Sequence, residues 1–303
     1  MKWKKKGVIY CPNGEAEWMQ HSFLTPTPVL MDDKIRLFGG IRDKDGVSRI
    51  GFIDVSAENP SNVLYVHKEP VLDIGEDGCF DDNGIILGTI LYDHPLWRMY
   101  YVGFQLVNKV KFFAFSGLAY SNDLQNFKRH SQTPIMDRRD GIRFIAGIHS
   151  ILKEDNKYKV WYAGGNGWEI INGLPYPRYS IFYIESPDGC HFDFKSNMHL
   201  IKPTKNEYRI GRPTIYKIKN KYIMFTTYDT LKKEYKMAYF ESFDGMSWER
   251  KDEEVVFIGE KTAWDLEMMC YLTLLKYGQK TYLFYNGNGM GKTGVGYAEL
   301  LEN

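Results

Sequence analysis

Apolar residues along the chain fall in short alternating runs cut by polar turns, the period-two pattern of strands with one buried face. The pattern also repeats on a longer scale. The stretches IRLFGG, RMYYVG, KVWYAG, YIMFTT and YLFYNG align on Phe38, Tyr101, Tyr162, Phe225 and Tyr285, at intervals of 63, 61, 63 and 60 residues. An apolar run and a polar turn (MDDK, KEDNK, KIKNK, KYGQK) lead into the aligned stretch, and a third strand follows it: SRIGFIDV, FSGLAYS, SIFYIES, KMAYFES or GVGYAEL. Three of these third strands run into related turns, SNDLQNF, SPDGCHF and SFDGMSW.

A repeat of this length is one supersecondary unit that buries its apolar surface only against its neighbours. A fourth, outer strand is read in VLYVHKEP, FKRHSQTPIM, FKSNMHLI and EEVVFIG for the first four units, while the fifth lacks one. The N-terminal KKGVIYCP is a strand without a unit of its own, so it is expected to complete the last blade. The predicted fold is all-β: a five-bladed β-propeller forming a single domain over residues 1–303, its ring closed by the N-terminal strand. The stretch TAWDLEMMCYL would suit a helix by composition, but the repeat puts MCYLTLL in the first-strand position of the fifth unit.

Composition narrows the partners. With 44% apolar and 16% aromatic residues the chain supports a large core, and 39 basic against 38 acidic residues offer no polyanion-binding stripe, so nucleic acid is not expected. The N-terminal lysines lead into no signal-like apolar stretch, and no run is long enough for a membrane span, so a cytoplasmic protein is expected. Cys11, Cys79, Cys190 and Cys270 are scattered singly and are read as reduced thiols. NGNGMGKTG ends like a phosphate-binding loop, but Asn286 stands at the required first glycine and a strand, not a helix, is expected next. No cofactor and no metal site is expected, as the histidines show no ligand spacing.

Counting back 17, 19, 19, 16 and 18 residues from the aligned aromatics reaches His21, Asp82, Arg143, Arg209 and Glu267, expected at similar depth around a central channel. The second strands return to the same face. They add Arg42 and Asp43, Trp168 and Glu169, Tyr228 and Asp229, and Asn286 and Asn288, while Arg212 and Tyr271 lie further into their first strands. Glycosidic cleavage by water needs a proton donor for the leaving oxygen and a second carboxylate for water or the anomeric carbon. Glu267 is the expected acid, Asp82 the base or nucleophile, and Asp43 the third catalytic carboxylate. His21, Arg42, Arg143, Trp168, Glu169, Arg209, Arg212, Asp265, Tyr271, Asn286 and Asn288 are expected to bind substrate. The arginines suit an anionic sugar, a sugar phosphate or phosphate.

The order of units, with acids at first-strand starts, resembles the five-bladed propellers of glycoside hydrolase families 32, 43, 68 and 130. SRIGFIDV, the Glu-Pro-Val-Leu of HKEPVL, CFDDNG, GWEIINGLPYPRY, the Gly-Arg-Pro of YRIGRP, WDLEMMCY and YNGNGMGKTG are similar to a bacterial group of small glycosidase-like propeller proteins. That resemblance spans nearly the whole chain and implies a role in polysaccharide or surface-glycan biosynthesis. Family 43-type enzymes imply an Asp base, a Glu acid and a second Asp tuning it. Here His21 stands where they carry the basic Asp, and the Glu falls in the fifth unit. The expected activity is a glycoside hydrolase acting on an oligosaccharide or activated sugar. Glycosyl transfer or phosphorolysis is the alternative, and a non-catalytic glycan-binding propeller the third reading.

Overall fold

The structure, a computed structural model, describes residues 1–259 and 262–302. After β1 (Lys2–Tyr10), twenty further strands follow in five groups. The first holds β2 (His21–Met31), β3 (Lys34–Arg42), β4 (Ser48–Ser56) and β5 (Val63–Val66). The second holds β6 (Ile85–Asp93), β7 (Leu96–Leu106), β8 (Phe112–Ser121) and β9 (Lys128–Arg129), and the third β10 (Ile145–Glu154), β11 (Lys157–Ile171), β12 (Leu174–Ser186) and β13 (Met198–Ile201). β14 (Glu207–Ile218), β15 (Lys221–Thr230), β16 (Lys236–Ser242) and β17 (Glu249–Arg250) make the fourth. The fifth joins β18 (Val256–Ile258), β19 (Cys270–Tyr277), β20 (Lys280–Asn286) and β21 (Val295–Glu302) to β1.

The chain is therefore nearly all-β, and among the described residues its one α-helix is the short Asn288–Gly291. The first four groups are antiparallel meanders, and the fifth is antiparallel except where β18 runs parallel to β1. The second and third groups are also bridged in parallel, Ile145 and Ala146 pairing with Ala114 and Phe115. The hairpin turns are chemically apt. Asp155 and Asn156 both take the left-handed conformation (φ 52° and 59°) that a two-residue turn needs, which Asn and Asp tolerate.

Phe38, Tyr101, Tyr162, Phe225 and Tyr285 fall on β3, β7, β11, β15 and β20, all fully buried. The long period thus marks the packed centre of each group. Buried Ser and Thr hydroxyls staple neighbouring groups together. Ser48 Oγ donates to Ile85 O (2.6 Å) and Ser116 Oγ to Ala146 O (2.7 Å), while Ser150 Oγ accepts from Ile215 N (3.1 Å). Thr214 Oγ1 donates to Leu272 O (2.7 Å), and Thr273 Oγ1 to Pro26 O (2.9 Å), joining the fifth group to the first. Each such bond contributes about 1 kcal/mol.

β1 pairs antiparallel with β21, so the N-terminal strand does join the last group. One outer strand is reassigned. EEVVFIG, expected on the edge of the fourth unit, instead places β18 parallel to β1, and β16 is edged by Glu249 and Arg250. The 3-10 turn at Asp252–Glu254 separates β17 from β18, carrying the chain across to β1. The turns SNDLQNF, SPDGCHF and SFDGMSW share one hydrogen-bond pattern: Asp123, Asp188 and Asp244 each accept from backbone N–H groups two and three residues on.

Candidate functional site

The five inner strands β2, β6, β10, β14 and β19 share a bulge at equivalent places, between Leu24/Thr27, Leu87/Thr89, Ile148/Ser150, Gly211/Thr214 and Cys270/Thr273. The residues inside the bulges include Thr25, Gly88, His149, Arg212 and Tyr271. Thr25, Arg212 and Tyr271 hold left-handed backbone (φ 53°, 56° and 58°), which is rare outside glycine and costly for a β-branched residue. A bulge re-aims its side chain out of the ladder. Here the re-aimed Thr25, His149, Arg212 and Tyr271 all line one cavity of about 590 Å³.

That cavity is cationic. Arg42, Lys111, Arg209, Arg212 and Lys233 line it, and among the described residues Asp229 is its one carboxylate. Asp229 is already engaged: Oδ2 accepts from Arg209 Nη2 (2.7 Å), from Tyr208 Oη (2.5 Å) and from Lys233 Nζ. Arg42 and Arg212 have no carboxylate partner among the described residues. Against a chain charge of +1, this is a local concentration of positive charge.

The arginines are also under-bonded. Arg42 Nε, Arg209 Nε, and both Nε and Nη2 of Arg212 are buried with no hydrogen-bond acceptor. No protein acceptor takes these donors, which leaves them free to bond water or a ligand's acceptors in the cavity. Burial pushes the Arg212 guanidinium down to about 10 and lowers that of Arg42, yet both stay charged at neutral pH. Around Arg209 burial is outweighed by Tyr179, Tyr235, Tyr208 and Asp229, and its pKa rises.

Arg212 Nη1 donates to Leu87 O and to Nδ1 of His149 (3.2 Å). Accepting at Nδ1 leaves the His149 proton on Nε2. Burial, and then the charge of Arg212, hold His149 well below its ordinary pKa, so the ring is neutral. Tyr235 Oη donates to Tyr271 Oη (3.3 Å), and Lys233 lies over the Tyr176 ring at 4.0 Å. The other wall is apolar, built from Ile86, Val102, Phe104, Leu106, Phe112 and Ile145.

Of the residues expected to form the site, Arg42, Arg209, Arg212 and Tyr271 line this cavity. Asp82, Asp43 and Glu267 are not among its lining residues. Asp82 is half-buried, its Oδ2 accepting from Gly78 N (2.9 Å), and its neighbour Asn83 lines the cavity. Glu267 is exposed on the turn before β19, next to lining Met268. Asp43 lies in a separate surface depression, bonded to Arg49 (2.8 Å) and to the N–H groups of its own turn. Of the counted-back residues, His21 and Arg209 lie within strands, whereas Asp82, Arg143 and Glu267 precede theirs on loops.

The remaining expected residues are not among the cavity's lining and make contacts within the protein. His21 Nδ1 bonds Ser22 Oγ (2.8 Å). Arg143 grips Asn166, Trp168 packs edge-on against Phe112, and Glu169 pairs with Arg178 (3.7 Å). Asp265 is buried between Lys5 Nζ (2.7 Å) and Tyr285 Oη (3.0 Å). Asn286 accepts from Thr25 N (2.8 Å) and donates to Phe23 O, and Asn288 Oδ1 accepts from the N–H groups of Glu267 and Met268 (2.9 Å each).

His149, Thr25, Lys233, Tyr179 and Tyr235 were absent from the expected site. The repeat held a signal for two of them. Thirteen residues before Phe38, Tyr101, Tyr162 and Phe225, and fourteen before Tyr285, stand the bulge residues Thr25, Gly88, His149, Arg212 and Tyr271. Among the described residues the one mixed cluster with metal-ligand chemistry, Asp188, Cys190 and His191 within 4.8 Å, sits on an outer turn whose Asp bonds repeat in the sister turns. Its geometry is that of the turn. All four cysteines are free.

No family model matches the chain. Two uncharacterized Mycobacterium tuberculosis proteins, MT1551 (strain CDC 1551 / Oshkosh) and Rv1502 (strain ATCC 25618 / H37Rv), are each 28% identical over 307 residues, covering 100% of both partners. Among solved structures, one from the GH130 family of mannoside phosphorylases, which contains glycoside hydrolases targeting β-1,2 mannosidic linkages in Candida mannan, superposes with a TM-score of 0.71 at 16% identity. It covers 98% of this chain and 93% of its own. The chain has a glycosidase-like propeller fold. The Podospora anserina α-L-arabinofuranosidase PaAbf62A, solved with cellotriose, is similar too, with a TM-score of 0.67 at 10% identity over 99% of this chain and 96% of that one. At these identities the likeness speaks for the fold, and function has to be argued from the site. Among the described residues no helix is long and apolar enough to cross a membrane.

Proposed function

We propose that the chain closes as a single-domain, five-bladed propeller over residues 1–303 and is a carbohydrate-active enzyme of the phosphorolysis or glycosyl-transfer kind. Its cavity holds the anionic part of an oligosaccharide–phosphate pair or an activated sugar on Arg42, Arg209 and Arg212. The observation that carries this reading is the set of orphaned guanidinium donors in a cavity whose one described carboxylate is already paired. Donors without acceptors call for a ligand rich in oxygen and negative charge. A cytoplasmic location, where activated sugars and phosphate are at hand, belongs to the same reading.

The chemistry favours phosphate over water. Hydrolysis needs two carboxylates, one to protonate the leaving oxygen and one to activate water or attack the anomeric carbon. Phosphate brings its own nucleophilic oxygen. Its attack on the anomeric carbon breaks the glycosidic C–O bond, and a single carboxylic acid protonates the departing oxygen. Asp82, beside lining Asn83, serves as that acid in this reading, with Glu267 beside Met268 as the other candidate.

A mass-spectrometric turnover screen tests it, with oligosaccharides and nucleotide sugars, with and without phosphate, on wild type, Asp82→Asn, Glu267→Gln and Arg212→Met. Product that requires phosphate or an acceptor, and is lost in Arg212→Met, is the expected result. Water-dependent release lost in both carboxylate variants would make the protein a hydrolase instead. Saturable sugar binding with no turnover anywhere, surviving both carboxylate substitutions, would make it a glycan-binding module.

A further inference from the structure

The cavity has two chemically different halves, and the reading above uses only the cationic one. The other is a hydrophobic cluster separate from the main cores: buried Val102, Ala114 and Ile145, with Ile86, Phe104 and Phe112 packed on them. All six line the cavity. Tyr179 joins the halves, since it packs on this cluster and also stacks with the Arg209 guanidinium at 5.6 Å. An apolar wall facing an open cavity leaves its own burial incomplete, which a ligand's apolar part would finish.

The apolar path continues to the surface. Leu106 lines the cavity yet is 61% exposed. Beyond the last pairing with β10, at Gly165, β11 and β12 run on as a two-stranded ribbon whose Pro175, Tyr176 and Pro177 line the cavity. Its tip presents Ile170 and Leu174, 63% and 58% exposed. Phe112 meets Trp168 of this ribbon edge-on at 5.0 Å, so the wall and the ribbon are one surface. A sugar ring needs one aromatic platform. An aliphatic and aromatic track running out to exposed leucines suits something longer.

We infer that the ligand is amphiphilic: a phosphate or diphosphate ester of a sugar, its anionic group on the arginines and an alkyl or polyisoprenyl chain lying along Phe104, Leu106 and Phe112 toward the ribbon tip. This rests on the arginines holding an anion. A nucleoside in place of the chain is the competing source of an apolar group on a phosphate. It would need hydrogen-bonding partners for the edges of its base, and the side chains of Phe104, Leu106 and Phe112, along which the chain would lie, offer none.

Calorimetric titration of the whole protein with inorganic phosphate, butyl, hexyl and octyl phosphate, and uridine monophosphate tests this, with the alkyl phosphates below their micellar concentrations. Affinity should rise along the alkyl series by up to roughly fourfold per buried methylene. In Phe112→Ala and the exposed Leu106→Ser the rise should flatten, and in Arg212→Met or Arg42→Met the whole series should weaken. Octyl phosphate binding no tighter than inorganic phosphate, or weaker than uridine monophosphate, overturns the inference and leaves the anion site standing. Octyl phosphate binding that ignores all four substitutions is surface adsorption and also overturns it. If no phosphate compound binds, the anion reading itself falls.

Discussion

His149 and Arg212 come from neighbouring inner strands, each at the bulge of its strand, and meet through an N–H to Nδ1 hydrogen bond of 3.2 Å in a buried setting. A neutral histidine can accept this bond and a protonated one cannot, so the fold selects the uncharged ring. Burial and the adjacent guanidinium both depress its pKa below 6.5. As pH falls through the unfolded value, the unfolded chain therefore takes up a proton that the folded chain refuses, and stability is lost toward acid. Each pH unit below about 6.5 costs at most about 1.4 kcal/mol from this one group. Urea unfolding of wild type and His149→Gln at pH 7 and 5.5 should show wild type losing about 1 kcal/mol more than the variant over that interval. Equal losses would mean that His149 is protonated in the fold.

Arg212 has one guanidinium nitrogen committed to the protein and two orphaned, a fork held ready for a planar pair of oxygens. Arg212→Lys keeps the charge and removes the fork. Phosphate binding should weaken roughly tenfold in this variant, and a charge-only role would leave it within about twofold of wild type.

Gly88 fills the fifth bulge position because nothing larger fits. A Cβ there would lie 2.2 Å from Ile148 O and 2.7 Å from Tyr100 O, both backbone atoms that cannot swing aside. Gly88→Ala should therefore destabilise by about 3 kcal/mol, read as a lower urea midpoint with unchanged m-value. Gly78→Ala, at an open position with φ 89°, should cost about 1 kcal/mol through backbone conformation alone.

The fold was legible because each group repeats one buried aromatic at nearly constant spacing, a signal that burial imposes on every unit. The site was less so. A period gives a strand position, but a bulge changes which face the next side chain takes, and the sequence does not announce where the ladder slips. Asp81 and Asp82 illustrate the limit. Adjacent carboxylates point to different surroundings: Asp81 is buried against Tyr101 Oη (3.0 Å) and Arg129 Nε (2.8 Å), while Asp82 caps a surface turn. The outer strand of the fourth group was misplaced for a similar reason, since an edge strand carries no mark of which sheet it borders.

Asp265 is the counterpart of Asp81. Each stands twenty residues before its aligned tyrosine and accepts its hydroxyl at 3.0 Å, Tyr285 for Asp265 and Tyr101 for Asp81, and each has a basic partner, Lys5 or Arg129. The repetition argues that Asp265 is a structural anion, holding β1 and β20 to the turn before β19, and not a group that orients a catalytic acid. Removing one partner of a buried pair leaves the other charge uncompensated, so Asp265→Ala should cost about 3–5 kcal/mol. Tyr285→Phe, which deletes one hydrogen bond, should cost about 1 kcal/mol. Lys5→Ala combined with Asp265→Ala should cost less than the two changes added, because the second removes a charge already stranded. The alternative makes the opposite prediction: an orienting Asp265 would lower kcat in Asp265→Asn at nearly wild-type stability, whereas a structural one lowers the unfolding midpoint and leaves the turnover of the folded fraction intact.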